Sequence, residues 1–115
     1  MAEIVARFLP TGMEPDHPHV EHYAVTVIDH GDGTYAVGHG RKRLTRSGRW
    51  ADRDLLPAAV YLRTTRADAE ESARRVVEKV RPGGGLTWAE SVVFEAEMRG
   101  EVSSLAGAAH MTGGR

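Results

Sequence analysis

The first half of the chain alternates apolar residues with small or polar ones, which is the spacing of β-strands in a sheet. The run VEHYAVTVID (20–29) is rich in β-branched and aromatic residues, and TYAVGHG (34–40) repeats the pattern after the glycine-containing turn HGDGT. This pattern predicts a β-hairpin with side chains paired across its ladder. The residues predicted to pair are Tyr35 and Val37 on one strand and Val25 and Val27 on the other.

Further strands are predicted on both sides of that hairpin. The segment RKRLTRSGRWAD (41–52) has the form of a second hairpin that turns at its Ser-Gly pair, with Leu44 and Trp50 as apolar anchors. Its arginines are then expected on the solvent side and at the tip. The segment AAVYLRT (58–64) predicts another strand, and EIVARFL (3–9) predicts an edge strand at the start of the sheet.

Helical periodicity dominates the second half of the chain. In TTRADAEESARRVVEKVRPGGG, apolar residues from Ala69 to Val80 recur at the spacing of one helical stripe. This pattern predicts an amphipathic helix over 66–81, which Pro82 and the glycines after it bring to an end. The acids and bases on its other face are expected to form a solvated surface with i,i+4 ion pairs.

The segment LTWAESVVFEAEMRG is compatible with either a strand or a helix. Its apolar residues alternate as in a strand between Val92 and Met98, and they also fit a helical stripe. Thr87 followed three residues later by Glu90 has the form of a capping box. We therefore predict a second helix over 88–99.

These elements predict an α+β fold, with a small antiparallel sheet of three to five strands built from hairpins and the helix over 66–81 packed on it. Residues 1–102 are expected to form a single domain. The segment 103–115 has no sustained period and ends in glycines, which predicts a flexible C-terminal tail. The predicted core residues are Val25, Val27, Tyr35, Val37, Leu44, Trp50, Val60, Leu62, Ala73, Val76, Val77 and Val80.

Composition excludes several classes of protein. The chain has 115 residues, of which 41% are hydrophobic and 27% are charged, as expected for one globular domain. It contains no cysteine, which excludes a disulfide framework, a zinc ribbon and a thiol nucleophile. The N-terminus lacks the pattern of a signal peptide, and no run of about 18 apolar residues occurs. We therefore expect a cytoplasmic protein that does not enter a membrane.

The charge is unevenly distributed along a chain whose formal net charge is only −1. Residues 1–40 carry six acids against one arginine, whereas residues 41–53 carry six cations against one acid. The second hairpin is therefore the predicted binding element, with nucleic acid, another polyanion or an acidic protein surface as its partner. The candidate binding residues are Arg41, Lys42, Arg43, Arg46, Arg49 and Arg53.

Two interpretations of this basic hairpin remain open beside polyanion binding. It can be a solvated hairpin paired with acidic neighbours. Thirteen of the fifteen cations in the chain are arginine, so a cluster of arginines can arise without selection for binding. It can also contact a protein partner. The chain contains no Asn and no Gln, so direct recognition of adenine by these amides is excluded and binding of nucleic acid is expected to depend on backbone charge and shape.

The segment EPDHPHVEHY is the candidate for metal binding, since imidazole and carboxylate groups are ligands of zinc, nickel and iron. Its candidate ligands are His17, His19 and His22. In an extended chain the first two point to one side and the third to the other, so we predict an exposed connector that binds no metal. The sequence also lacks a nucleophile elbow, a P-loop and a complete dinucleotide fingerprint. We therefore expect neither an enzyme nor a cofactor.

The order of segments GDGTYAV, RLTRSGRW, TTRADAEESARRVVEKV and LTWAE resembles that of small proteins from high-GC actinobacteria and their phages. The resemblance covers about residues 20–90, and it implies no activity. Three strands followed by a helix are also similar in architecture to the arm-type DNA-binding domain of some tyrosine recombinases.

The predicted function is that of a small accessory or regulatory protein that binds a polyanion or nucleic acid. The alternative is a phage or bacterial protein-interaction module, either an inhibitor of a host protein or an assembly component. The residues that mark the resemblance to the actinobacterial and phage proteins are structural, namely Gly48, Trp50, Ala69, Ala73 and Gly85.

Overall fold

A computed structural model describes the backbone of residues 2–108 and the side chains of residues 2–100. Its centre is a five-stranded antiparallel sheet in which each strand lies beside the strand next to it in sequence. This architecture confirms the predicted α+β class, including the edge strand at the N-terminus. The strands are β1 (Glu3–Phe8), β2 (Val25–Asp29), β3 (Tyr35–His39), β4 (Lys42–Leu44) and β5 (Trp50–Asp52).

The helices differ greatly in length. Two of them, α1 (Val20–Tyr23) and α2 (Ala58–Tyr61), are single turns, whereas α3 (Arg66–Val77) and α4 (Trp88–Ala108) have 12 and 21 residues. A short 3-10 turn at 53–55 follows β5, and another at 82–84 precedes α4.

The hairpin between β2 and β3 turns through two glycines with positive φ, and Asp29 and Asp32 accept hydrogen bonds from the turn. Val27 lies opposite Val37 as predicted, but Tyr35 lies opposite Asp29 instead of a valine. The predicted pairing of Tyr35 was therefore wrong. The reason is that residues 30–34 form the turn, so that Asp29 and Tyr35 flank it and face each other. The run 20–29 is also not all strand, because its first four residues form the helical turn α1 and β2 starts at residue 25.

The hairpin between β4 and β5 forms at the predicted position. Leu44 lies opposite Trp50, Gly48 adopts a φ of 92° in the turn, and its N–H donates to the Thr45 carbonyl (2.9 Å). A side chain at this positive φ would be strained, so glycine suits the position. The predicted apolar anchors of the hairpin are confirmed.

The predicted strand over 58–64 was wrong. Pro57 precedes the helical turn α2, in which alanines at positions 58 and 59 favour helix over strand. Only Arg63 reaches the sheet, where its backbone N–H and carbonyl form a single bridge to Tyr35 (2.7 and 2.8 Å). A consequence is that Val60, predicted for the core, is 40% exposed.

The core lies between one face of the sheet and α3. It contains Leu44 and Val80 together with the valines that alternate along β2 and β3 and the apolar stripe of α3. Tyr35, Trp50 and Val76 are partly buried against this core, and Leu62 is half-buried. The predicted core residues that are fully buried are Val25, Val27, Val37, Leu44, Ala73, Val77 and Val80.

Helix α3 begins where predicted, because the Thr65 hydroxyl accepts a hydrogen bond from the Asp68 N–H (3.1 Å). It ends at Val77, four residues before the predicted end, and residues 78–81 form a non-helical connection to the 82–84 turn.

Helix α4 begins with the predicted capping box: the Thr87 hydroxyl accepts a hydrogen bond from the Glu90 N–H (3.2 Å), and the Glu90 carboxylate accepts one from the Thr87 N–H (3.1 Å).

The backbone of α4 is helical to Ala108, beyond both the predicted end of the helix at 99 and the predicted start of the tail at 103. Residues 109–115 lie outside the described part of the chain, so the flexibility of the tail stays a prediction.

Candidate functional site

The six cations of the predicted basic hairpin do not share one surface. Arg41 forms ion pairs with Asp52 (3.7 Å) and with Asp54 on the segment after β5. Arg49 is exposed near the tip of the hairpin. Arg53 is 3.8 Å from the Asp54 carboxylate and lines a cleft, together with Arg43 and Glu3, that includes residues from β1 and β2. Only Lys42 and Arg46 line the clefts next to α3.

The expectation that all the hairpin arginines stand in solvent was wrong for Arg43. Its side chain is buried on the face of the sheet away from α3, close to Ile28 and Thr26 around Gly38. It donates from one guanidinium nitrogen to the carbonyls of Gly40 and Lys42 (both 2.9 Å). Burial, followed by the charge of Arg53, lowers the pKa of Arg43. The residue alternates with the inward-facing Leu44 along β4, which places it on the opposite face.

Two adjoining clefts lie between the β4–β5 hairpin and the edge of α3, and we call them together the cationic groove. The large cleft has a volume of about 340 Å³ and the small cleft about 150 Å³. The large cleft is lined by His39, Lys42, Trp50, Lys79, Val80, Arg81, Pro82, Gly83 and Gly84. The small cleft is lined by Leu44, Arg46, Ser47, Gly48, Arg63, Ser72, Arg75 and Val76.

The two clefts adjoin because the same elements line both of them. Leu44 in the small cleft pairs across the hairpin with Trp50 in the large one. On the helix side, Val76 of the small cleft lies three residues before Lys79 of the large one. Lys79 lies two residues after the end of α3, and its backbone N–H donates to the Val76 carbonyl (2.9 Å), which joins the two linings.

No carboxylate lines either cleft of the cationic groove. Two cations of the lining are nevertheless paired with acids that lie outside it: Arg75 with Glu71 (3.2 Å) and Arg81 with Glu90 (2.8 Å). Lys42 and Lys79 are the only lysines in the chain, and both line the large cleft. Among the described side chains, no carboxylate oxygen lies within 4.0 Å of either ammonium group.

Asp52 lies directly across the hairpin from Lys42 and is the acid best placed to neutralise it. Its carboxylate instead accepts a hydrogen bond from the Asp54 N–H (2.8 Å) and faces Arg41. Asp52 therefore does not neutralise Lys42, whose positive charge contributes to the groove.

Arg63 forms the buried end of the small cleft. Its guanidinium donates to the carbonyls of Leu44 (3.0 Å), Tyr61 (2.9 Å) and Thr45 (3.2 Å) and to the Ser72 hydroxyl (3.3 Å). Burial lowers the pKa of Arg63, the carboxylate of Asp68 opposes that effect, and the charges of Arg46 and Arg75 add to it. The guanidinium thus joins β4, α2 and α3 and adds positive potential beneath the groove.

Trp50 and His39 form the aromatic wall of the large cleft. Their ring centroids are 5.8 Å apart, and the His39 Nδ1 donates to the Ala24 carbonyl (2.9 Å), which fixes the imidazole. Trp50 is partly buried against the core. Across the cleft, Gly83 and Gly84 have positive φ, and a side chain at either would meet no atom within 4 Å at its first carbon. The cleft is therefore open on the glycine side.

The histidine segment is arranged differently from the prediction. His19 and His22 stack with centroids 5.4 Å apart, because α1 places residues three apart on one side of a helical turn. The predicted opposition of these two rings was therefore wrong. His17 accepts a hydrogen bond from the His19 N–H (3.0 Å) and packs edge-on against Trp88. Among the side chains of residues 2–100, no group of three or more His, Asp or Glu is placed to hold a metal ion.

Four groove cations lie outside the predicted set, namely Arg63, Arg75, Lys79 and Arg81. A signal for two of them is present in the sequence: Arg75 and Lys79 each precede a valine of the apolar stripe of α3, so they lie at the border of its packed face. Nothing in the local sequence indicates that Arg63 leaves the predicted strand and enters the interior.

No protein-family model matches this chain, and comparison with curated proteins and with solved structures found no significant match. In the part of the chain that the structure describes, no helix is both long and apolar enough to cross a membrane.

Proposed function

We propose that the protein is a non-enzymatic accessory protein that binds a polyanion, specifically nucleic acid, along the cationic groove. The observation that carries this proposal is the lining of the groove: six cations from the hairpin, Arg63, α3 and the turn after it. Among the described side chains, Lys42, Arg46 and Lys79 have no carboxylate within 4.0 Å, whereas Arg75 and Arg81 are ion-paired. These cations are separated in sequence by up to 39 positions, from Lys42 to Arg81, and only the fold brings them together.

The chemistry of the groove suits phosphate groups. Lysine ammonium groups act as compact charges for phosphate, and arginine guanidinium groups offer several N–H donors in one plane. Lys42 and Lys79 line the large cleft, and Arg46 and Arg75 line the small cleft beside it. Several phosphates of one strand can therefore be contacted at the same time, which makes affinity strongly dependent on salt.

Sequence recognition by this groove is expected to be limited. The chain has neither Asn nor Gln, and among the groove cations the buried Arg63 is already bonded to backbone carbonyls. Binding should then depend on backbone charge and the shape of the ligand, with any direct base contact made through arginine to guanine.

A fluorescence anisotropy titration tests the proposal directly. Labelled single-stranded and duplex oligonucleotides are titrated with the protein at low salt, and the titration is repeated over a salt series. We expect binding at low salt whose logarithmic affinity falls linearly with the logarithm of salt concentration. Absence of binding to every nucleic acid at low salt would contradict the proposed function.

A second candidate function, binding of a protein partner, is favoured by helix α4. Its exposed apolar side chains, with Leu86 before the helix, are between 42% and 56% accessible, although residues of this size are usually covered. These residues are Leu86, Val92, Val93, Phe94 and Met98. Its first turn is anchored by the Tyr23 hydroxyl near Ser91 (3.2 Å) and by Trp88 packed edge-on against Tyr23.

The distribution of these side chains favours the groove of a different protein over a second copy of this chain. At about 100° per residue, the exposed apolar residues from Val92 to Met98 occupy about 240° of the helix circumference. A second α4 would cover one side of the helix, whereas a groove covers most of it. Glu95 and Glu97 lie among these residues, so a groove with a basic rim would suit them.

Light scattering of the purified protein distinguishes these occupants. A monomer at micromolar concentration agrees with a groove in another protein. A dimer that is lost on the change Phe94→Glu would assign α4 to self-association instead.

A further inference from the structure

We infer that the large cleft holds one unpaired nucleotide, so that the ligand of the cationic groove is a single-stranded nucleic acid and not a duplex. This inference rests on the proposed function and specifies the ligand class of the same site. It follows from the size of the large cleft, from its aromatic wall and from the position of the small cleft beside it.

The large cleft has the volume and lining of a small-molecule site. Its volume of about 340 Å³ lies at the lower end of the range of roughly 300–1,000 Å³ that is typical of ligand pockets. The small cleft, at about 150 Å³, is about five times the ~30 Å³ that one water occupies in the liquid. The small cleft can therefore accept a phosphate group, and only the large one has room for a base with its sugar.

Trp50 gives the large cleft a surface on which a base can stack. The indole packs on the core with one part and lines the cleft with another, so its ring is already ordered before a ligand binds. His39 lies beside it with a fixed ring. Bases stack on such aromatic groups without regard to sequence, because every base has a π-face.

The cations around Trp50 are placed for the phosphates on either side of a stacked base. Lys42 extends from the hairpin, and Lys79 and Arg81 extend from the other wall. The next phosphate along the strand would meet Arg46 and Arg75 in the small cleft. A planar apolar surface between two groups of cations matches the alternation of base and phosphate in a single strand.

A duplex cannot use this arrangement. Its bases are stacked and paired, so it presents phosphates and base edges but no free base face, and the aromatic wall stays unoccupied. Extruding a base from the duplex costs several kcal/mol, whereas an unpaired strand offers the base at once. The preference for a single strand over other polyanions should therefore come from Trp50.

Competition among four ligands at low salt tests the inference. The ligands are an oligothymidylate, an oligouridylate, a duplex and inorganic polyphosphate, all with matched numbers of phosphates. We expect both single strands to bind about tenfold or more tightly than polyphosphate, the gain from stacking one base. Preference for only one of the two strands also supports the inference and identifies the sugar that is recognised.

The results separate the two proposals. Equal binding of all four ligands overturns the nucleotide site but leaves polyanion binding intact. Tighter binding of the duplex overturns it as well. Failure of every ligand to bind overturns the proposed function itself.

Substitution of Trp50 supplies the second measurement. We expect Trp50→Leu to lose about tenfold in affinity for the single strands and nothing for polyphosphate, and Trp50→Phe to keep most of the affinity, because phenylalanine can still stack. An equal loss for both ligand types in the folded Leu variant would assign Trp50 to structure alone.

A variant that keeps Trp50 tests the inference even if Trp50→Leu does not fold. The change Trp88→Phe leaves Trp50 as the only tryptophan, since the chain has two, and it retains an aromatic ring beside Tyr23. We expect saturable quenching of the Trp50 emission by the oligothymidylate and none by polyphosphate. Absence of quenching at saturating oligothymidylate would overturn the inference.

Discussion

The two sides of the β4–β5 hairpin carry similar numbers of cations and differ in what surrounds them. On the side facing α3, Lys42 and Arg46 line a groove without carboxylates. On the other side Arg43 is buried against backbone carbonyls, and Arg41 is paired with Asp52 and Asp54. The same short segment of sequence therefore supplies both a surface with uncompensated charge and a set of structural arginines.

The difference shows that the position of the acids, more than the number of cations, decides where a positive surface forms. Exposed ion pairs contribute little to stability, but they do remove the charge of a side chain from a binding surface. The residues that complete the groove come from Arg63, α3 and the following turn. Two of them, Arg75 and Arg81, are ion-paired, so the uncompensated charge of the groove comes mainly from Lys42, Arg46 and Lys79. Three predictions test this contrast in order of the effect expected.

The largest effect is expected at Arg63, where the change Arg63→Met should lower the free energy of unfolding by about 3 kcal/mol. Methionine replaces the apolar stem but leaves the carbonyls of Leu44, Thr45 and Tyr61 without their donor. Each unsatisfied buried acceptor costs about 1–3 kcal/mol, reduced where water can enter. Urea denaturation followed by circular dichroism measures the change.

The variant Arg63→Lys is the matched control, because it keeps the charge but lacks the planar fork of donors that reaches several carbonyls. We expect its stability to lie between those of the wild type and Arg63→Met. A loss below about 0.5 kcal/mol for Arg63→Met would mean that the guanidinium is not a structural link.

A smaller effect on stability is expected from Arg43→Met, at about 1–2 kcal/mol. Here two carbonyls, those of Gly40 and Lys42, lose their donor at the side of the hairpin away from α3. The affinity for nucleic acid should not change, because the residue lies outside the groove. A large loss of affinity in the folded variant would move the binding surface to the opposite face.

The smallest effect is expected from the pH dependence of the α4 anchor. The hydrogen bonds from Arg81 and then from the Thr87 N–H lower the pKa of Glu90 below the ordinary value of 4.5 for this side chain. Since the folded-state pKa is depressed, the stabilisation is present above pH 4.5 and is lost as pH falls through the folded-state pKa.

The variant Glu90→Gln lacks this titration. We therefore expect its urea midpoint to lie below that of the wild type at neutral pH and the gap between them to close as the pH is lowered into the acidic range. A gap that stays constant with pH would show that Glu90 acts through packing and not through its charge.

The sequence predicts those parts of the fold that depend on local periodicity. The alternation along β2 and β3, the Ser47-Gly48 turn and the cap at Thr65 were all recognised, because each is decided by residues close together in the chain. The segment 58–64 was predicted incorrectly because its β-branched and aromatic residues favour a strand, whereas Pro57 and the two alanines allow a helical turn. Only tertiary contacts, above all those of Arg63, decide between these conformations.

The groove was less predictable than the fold. Lys42 and Arg46 were found from the local density of charge, but Lys79, Arg75 and Arg81 become part of the same surface only when α3 packs beside the hairpin. Likewise, the removal of Arg41 from the binding set depends on Asp54, which turns back towards the hairpin in the segment after β5. Pairings of this kind depend on the fold and leave no local pattern.

The central claim, that uncompensated charge in the cationic groove binds nucleic acid, is tested most directly by two double variants of equal charge. Lys42→Ala with Lys79→Ala removes two groove cations, and Arg41→Ala with Arg53→Ala removes two cations of the same hairpin segment outside the groove. The salt series is measured with a single-stranded oligonucleotide, for which each phosphate contact contributes about 0.7 to the slope. We expect the groove variant to lower the slope by about 1.4 and the control to leave it unchanged. Equal losses in both variants would show that the nucleic acid responds only to net charge and would contradict the claim.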